Sequence, residues 1–175
     1  MKDMTVSKAL KWLFIAQILS ILSFIPIAGA ILAIIGFVLN ILALYGASKL
    51  QPGYHTAFVA SIAGIVLSII AAFAGDGIFG SIISILSTVI SLAIIYFVID
   101  TTNGLLRGYG EDEIAAKGDK VWKLNLICAI AAVVLTVVLI IVPLLGAVLG
   151  IIIGIVEIVA YVLYLIYLHK SYNAL

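Results

Sequence analysis

Charge is scarce in this chain. Charged residues make up 10% of its 175 residues, against a hydrophobic fraction of 66%. An ordinary soluble domain carries about 25% charged and roughly 45–50% apolar residues. So few charges cannot cover a globular surface in water, and the solvent for most of the chain must be lipid. Net charge is only +1, so bulk attraction to nucleic acid is not indicated. Cysteine is nearly missing: Cys128 stands alone, which excludes a disulfide framework and zinc-ribbon spacing. The two histidines, His55 and His169, lack further ligands at diagnostic spacing, and no metal site is expected. A Ser-His-Asp set, a G-x-S-x-G elbow, an H-E-x-x-H helix and a phosphate-cradling glycine loop are also absent. No enzyme activity and no cofactor are expected.

What is there is apolar sequence in lengths that suit a bilayer. A spanning helix needs ~20 mainly apolar residues at about 1.5 Å each. Six such stretches are legible, over about 7–25, 27–49, 56–74, 78–99, 120–142 and 143–169. The breaks between them have chemical causes. Pro26 and Pro143 cannot donate a backbone hydrogen bond and disfavour helix in the residue before them. Gly75-Asp76-Gly77 and Gln51-Pro52-Gly53 are turn sequences. The reading is all-α: a single integral membrane domain over residues 1–175, a polytopic bundle of six transmembrane helices in three tandem helical hairpins, about 7–49, 56–99 and 120–169.

Six alternating spans put all nine basic residues on one side, where Lys2, Lys8, Lys11, Lys49, Arg107, Lys117, Lys120, Lys123 and Lys170 gather. The opposite side holds only Asp76. The positive-inside rule then places both termini in the cytoplasm, with a bacterial or archaeal inner (plasma) membrane suiting so compact a chain. Trp12, Trp122, Tyr164, Tyr167 and Tyr172 fall at aromatic-belt positions. Residues 1–30 also spell a signal peptide with Ala28-Gly29-Ala30 as the cleavage site. Cleavage there would start the mature chain directly in a membrane helix, and the same turn recurs near Pro143, where no signal could operate; both argue for an uncleaved first span.

The even-numbered spans share a spacing. Gly29, Ala33, Gly36 and Asn40 follow Pro26; Gly80, Ser84, Ser87 and Ser91 follow Gly77; Gly146, Gly150, Gly154 and Glu157 follow Pro143, the third copy being displaced by one residue. Steps of four and three keep one face of a helix. Helix 3 carries a similar run through Ser61, Gly64 and Ser68. Small residues let backbones approach where lipid offers no hydrophobic drive, so Gly29, Gly36, Gly64, Gly80, Gly146, Gly150 and Gly154 are expected to pack helices together.

Glu157 is the one residue here from which chemistry is expected. It sits near the middle of the last span, where a charge costs roughly 2.5–3.5 kcal/mol on insertion scales. A group that can be neutral or charged at midplane is what a proton relay or cation site requires. Asn40 and Ser91 occupy the matching step of the other even spans, and Gln17 lies mid-span in the first. These four form the candidate substrate or ion site. A structural role competes with it: a neutral Glu157 bonding between helices, favoured by the absence of a second ionisable group within the membrane.

Residues 101–119 read as the only sizeable cytoplasmic loop, made flexible by Gly108, Gly110 and Gly118, with Asp100 ending the fourth span. Glu113–Lys117 and Asp119–Lys123 are four apart and support a short helix there by ~0.2–0.5 kcal/mol each. Two functions are compatible with these features. One is a small transporter or transporter subunit with a polar midplane site around Glu157. The other is a non-catalytic membrane scaffold or complex subunit, binding a membrane-protein partner or a second copy of itself through small-residue faces and this loop.

Overall fold

The computed structural model describes residues 4–22, 29–74 and 77–175, with side chains except at 74, 140 and 143–147. Pro26, Gly75, Asp76 and Lys2, used above to place breaks and orientation, lie outside the described residues, as do residues 23–28 leading to the candidate cleavage site. Six helices account for nearly all the described chain: α1 (Val6–Leu22), α2 (Gly29–Ser48), α3 (Pro52–Ala74), α4 (Ile78–Gly108), α5 (Asp112–Ile141) and α6 (Pro143–Ala174). Five of them, α2 to α6, are long and apolar enough to cross a membrane. The described part of α1 is 17 residues long. Pro52 and Pro143 open their helices, where a missing N–H costs nothing.

Each helix packs against the next in sequence, and α6 packs back against α1, so the six close into a ring. The starts of the odd helices and the ends of the even ones meet at one end. There Ser7 Oγ donates to the Tyr172 carbonyl at 2.6 Å. Phe14 packs on His169 and Tyr172, Tyr45 on Phe58, and Tyr96 on Trp122. Most fully buried side chains lie in this half, among them Leu10, Leu13, Leu44, Tyr54, Val98, Ile99, Leu106, Tyr167 and Leu168. Every described charged residue except Glu157 belongs to this end as well. The outer faces are aliphatic: Ile34, Ile69, Ile151 and Ile158 each expose more than half of their surface. Such a surface is compatible with an integral membrane protein whose solvent is hydrocarbon.

The segment 101–119 is not a loop. Helix α4 continues about two and a half turns past its expected end near 99, to Gly108, and α5 begins at Asp112. Asp100, Thr101 and Thr102 do not end α4, because the helix itself satisfies both threonines. Their hydroxyls donate to the carbonyls of Phe97 and Val98, each at 2.6 Å. The reversal occupies only 109–111. The Glu111 N–H bonds to the Leu106 carbonyl and the Gly110 N–H to that of Arg107, the Schellman pattern, with Gly110 at φ 81° supplying the left-handed residue it needs. Gly118, read as a source of flexibility, is buried inside α5. The aromatic-belt reading also fails for Tyr164 and Tyr167, which are 4% and 2% exposed and face the core.

Candidate functional site

The glycine stripes divide into two kinds. Gly36 and Gly64 do pack helices: a Cβ on Gly36 would lie 3.0 Å from the Ala16 carbonyl of α1, and one on Gly64 would lie 3.3 Å from Ile90 of α4. Gly29 is buried at the start of α2, and Gly150 has ordinary contact with Leu135. Gly154 is different, because a Cβ there would meet nothing within 4 Å. Gly80 borders a cavity shared with Ser84 and Ser87. Gly146 lies in α6 where side-chain surroundings are not described. The expected tight packing at Gly154 is therefore replaced by open space, and toward the end away from the termini the helices leave gaps between them.

That separation leaves cavities lined with hydroxyls. One, of about 360 Å³, lies between α4, α5 and α6 and is bordered by Ser84, Ser87, Ser91, Asn125, Tyr161 and Glu157. A second, of about 510 Å³, lies between α2, α3 and α4 and is bordered by Asn40, Ser61, Ser68, Ser87 and Ser91. Ser87 and Ser91 face both. A third, reached at Gly77 and Gly80 near the end away from the termini, shares Ser84 and Ser87 with the first. Glu157 is fourteen residues into α6 and Ser91 thirteen into α4, so both lie about 20 Å along their helices from that end.

Of the four candidate residues, Glu157 and Ser91 line one cavity, and Ser91 and Asn40 line its neighbour. Gln17 reaches neither wall directly. Its Nε2 donates to Asn40 Oδ1 at 3.4 Å, while its Oε1 accepts from the Tyr161 hydroxyl at 2.6 Å. The same hydroxyl reaches the Gln17 carbonyl at 2.9 Å. A polar chain thus runs from α6 through α1 to α2, and Tyr161, one turn beyond Glu157, is its link to the first cavity. The candidate site expected from the sequence included neither Tyr161 nor Asn125. The available signal was the i, i+4 spacing of Glu157 and Tyr161 on one face.

The carboxylate of Glu157 has no hydrogen bond or ion pair to another described residue, and Cys128 is within its electrostatic reach. Asn125 spends its amide N–H on the Val121 carbonyl at 2.9 Å, which leaves its Oδ1 for a guest. Carboxylate, amide and hydroxyl oxygens together suit a cation or a protonated, hydrogen-bonding solute. No group of three or more His, Cys, Asp or Glu side chains that could hold a metal occurs among the described residues.

A second polar cluster, which sequence reading missed, closes the other end. Tyr167 donates to Asn103 Oδ1 at 2.7 Å. Asn103 Nδ2 donates to Asp119 Oδ1 at 2.8 Å, and Arg107 holds Asp119 Oδ2 at 2.7 Å. Beside it, Thr102 Oγ1 lies 2.8 Å from the Tyr54 hydroxyl; the Thr102 proton goes to Val98, so Tyr54 is the donor. Asp119 therefore serves Asn103 and Arg107 across the α4–α5 reversal rather than Lys123 on its own helix. Glu113 and Lys117 do pair.

No protein-family model, no curated protein and no solved structure matches the chain.

Proposed function

We propose that this chain is a small multi-pass membrane transporter, or the solute-capturing subunit of one, with a cation or protonated solute held at Glu157. One observation carries the reading: the only described charge away from the charged end is unpaired and opens into a hydroxyl-lined cavity. A carboxylate at membrane depth without a partner is costly, and a cationic guest would supply that partner. Midplane sites between helices are where transporter substrates commonly sit. Ser91, Asn125 and Tyr161 complete the shell around the guest, while Gln17 and Asn40 hold Tyr161 in place through the hydrogen-bonded chain.

In this reading α1 is the sixth span, the helices pair as three tandem hairpins, and the basic end faces the cytoplasm with both termini, in the inner (plasma) membrane. The cavities then open away from the cytoplasm. A scaffold function that docks a partner on a flexible loop at 101–119 loses its support, since that stretch is helix packed into the bundle end.

The test is Glu157→Gln in reconstituted vesicles. Solute uptake, or binding detected by native mass spectrometry on the protein from its own membrane, is expected to be abolished. Membrane insertion and thermal stability should remain within about 1 kcal/mol of the parent, because no described hydrogen bond is removed. Full activity in the variant would discard the site.

A further inference from the structure

On the charged end, α5 and α6 frame a groove of about 310 Å³ that is unrelated to the Glu157 cavities. Its rim carries Lys117 and Lys120 from α5 and Lys170 from α6. Its floor is apolar, made by Val121 and Leu124 on one side and Leu163 and Ile166 on the other. The spacing explains the shape. Positions 117, 120, 121 and 124 keep one face of α5, and 163, 166, 167 and 170 keep one face of α6. Both faces run from charged to aliphatic over roughly 10 Å of helix. Leu163 and Ile166 are 40% and 47% exposed, so the floor opens to the hydrocarbon side.

We infer that this groove is a binding site for an anionic phospholipid. The phosphate sits among the three ammonium groups, and one acyl chain lies along Leu124, Leu163 and Ile166. Charge complementarity selects the occupant: three lysines above an aliphatic slot at a membrane interface fit a negative headgroup joined to a hydrocarbon tail. Lys117 also pairs with Glu113, whose side chain is 84% exposed. A phosphate recruits Lys117 from that pair at little cost, because exposed pairs contribute only ~0–1 kcal/mol. Neither a neutral lipid nor a soluble anion satisfies both halves of the groove.

The experiment is native mass spectrometry of the full chain in neutral detergent with equimolar phosphatidylglycerol and phosphatidylcholine. One retained phosphatidylglycerol in at least tenfold excess over phosphatidylcholine is expected. Lys120→Gln with Lys170→Gln should remove that preference, whereas Lys49→Gln with Lys123→Gln, which removes equal charge from the same end outside the groove, should retain it. Photo-crosslinking of the parent protein with a phosphatidylglycerol bearing a diazirine in its acyl chain is independent of any folding defect and should label Leu163 or Ile166. Equal retention of the two lipids, or a crosslink confined to other helices, overturns the proposal. Displacement of the lipid by millimolar inorganic phosphate also overturns it, marking a soluble-anion site instead.

Discussion

At the scale of single residues, the same chemistry has opposite settings at the two ends of the bundle. Tyr167 and Asn103 are 2% exposed and bonded to each other, whereas Glu157 faces open space without a partner. Removing the Tyr167 hydroxyl leaves Asn103 Oδ1 buried without its donor, a loss of about 1–3 kcal/mol. Tyr167→Phe should therefore lower the unfolding midpoint in a detergent titration, and solute binding at Glu157 should be unchanged. An unshifted midpoint would mean that water replaces the lost donor. Glu157 itself was legible, because a lone acidic residue amid aliphatic sequence announces itself. Asn103 and Asp119 were not. Both are polar residues next to a cluster of charges, a context that reads as loop, and only the packing of α4 on α5 and α6 reveals that Asn103 is interior and that Asp119 is bonded to it.

At the scale of elements, glycine carries two meanings that spacing does not separate. Gly118 is a contact: a Cβ there would lie 2.6 Å from Tyr167 Cε2, 2.9 Å from Asn103 Nδ2 and also against its Oδ1. Gly154 is a gap. Gly118→Ala is expected to destabilise by about 1–3 kcal/mol through overpacking of a hydrogen-bonded pair. Gly154→Ala is expected to be neutral or stabilising by up to about 1 kcal/mol through helix propensity. Unfolding in parallel titrations checks the pair, and the reverse ranking would contradict the packing of α5 on α4 and α6. All six helices were legible as apolar stretches, and five of them are long and apolar enough to span a membrane. The ends of α4 and α5 were misjudged, because hydropathy falls at Asp100 while the backbone remains helical. The stop signal was Gly110, a left-handed cap ten residues further on, rather than the first polar residues.

At the scale of the whole molecule, one end of the ring is closed by side chains and the other is left open along α4. Access to Ser84 and Ser87 should therefore be one-sided. In a Cys128→Ser background, Ser84→Cys or Ser87→Cys should react with a membrane-impermeant thiol reagent added outside the cytoplasm, and a cytoplasmic addition should leave them unmodified. Thr102→Cys, fully buried in the closed end, should resist both. Labelling of Ser87→Cys from the cytoplasm would reverse the orientation or open the closed end. This asymmetry was not written in the hydropathy of the chain, since the stripes of α2, α4 and α6 look alike until one helix is seen packed and another seen lining space.

The closure of the ring also fixes an order of events during synthesis. Helices α2 to α6 each find a sequence neighbour already made when they emerge, but α1 meets its second neighbour only when the last helix arrives. Until then Ser7 has no Tyr172 carbonyl, Phe14 has no His169 ring and Gln17 has no Tyr161 hydroxyl. The seam between α1 and α6 is thus the last of the six joints to form, and the polar chain that leads to Asn40 is completed only when α6 arrives.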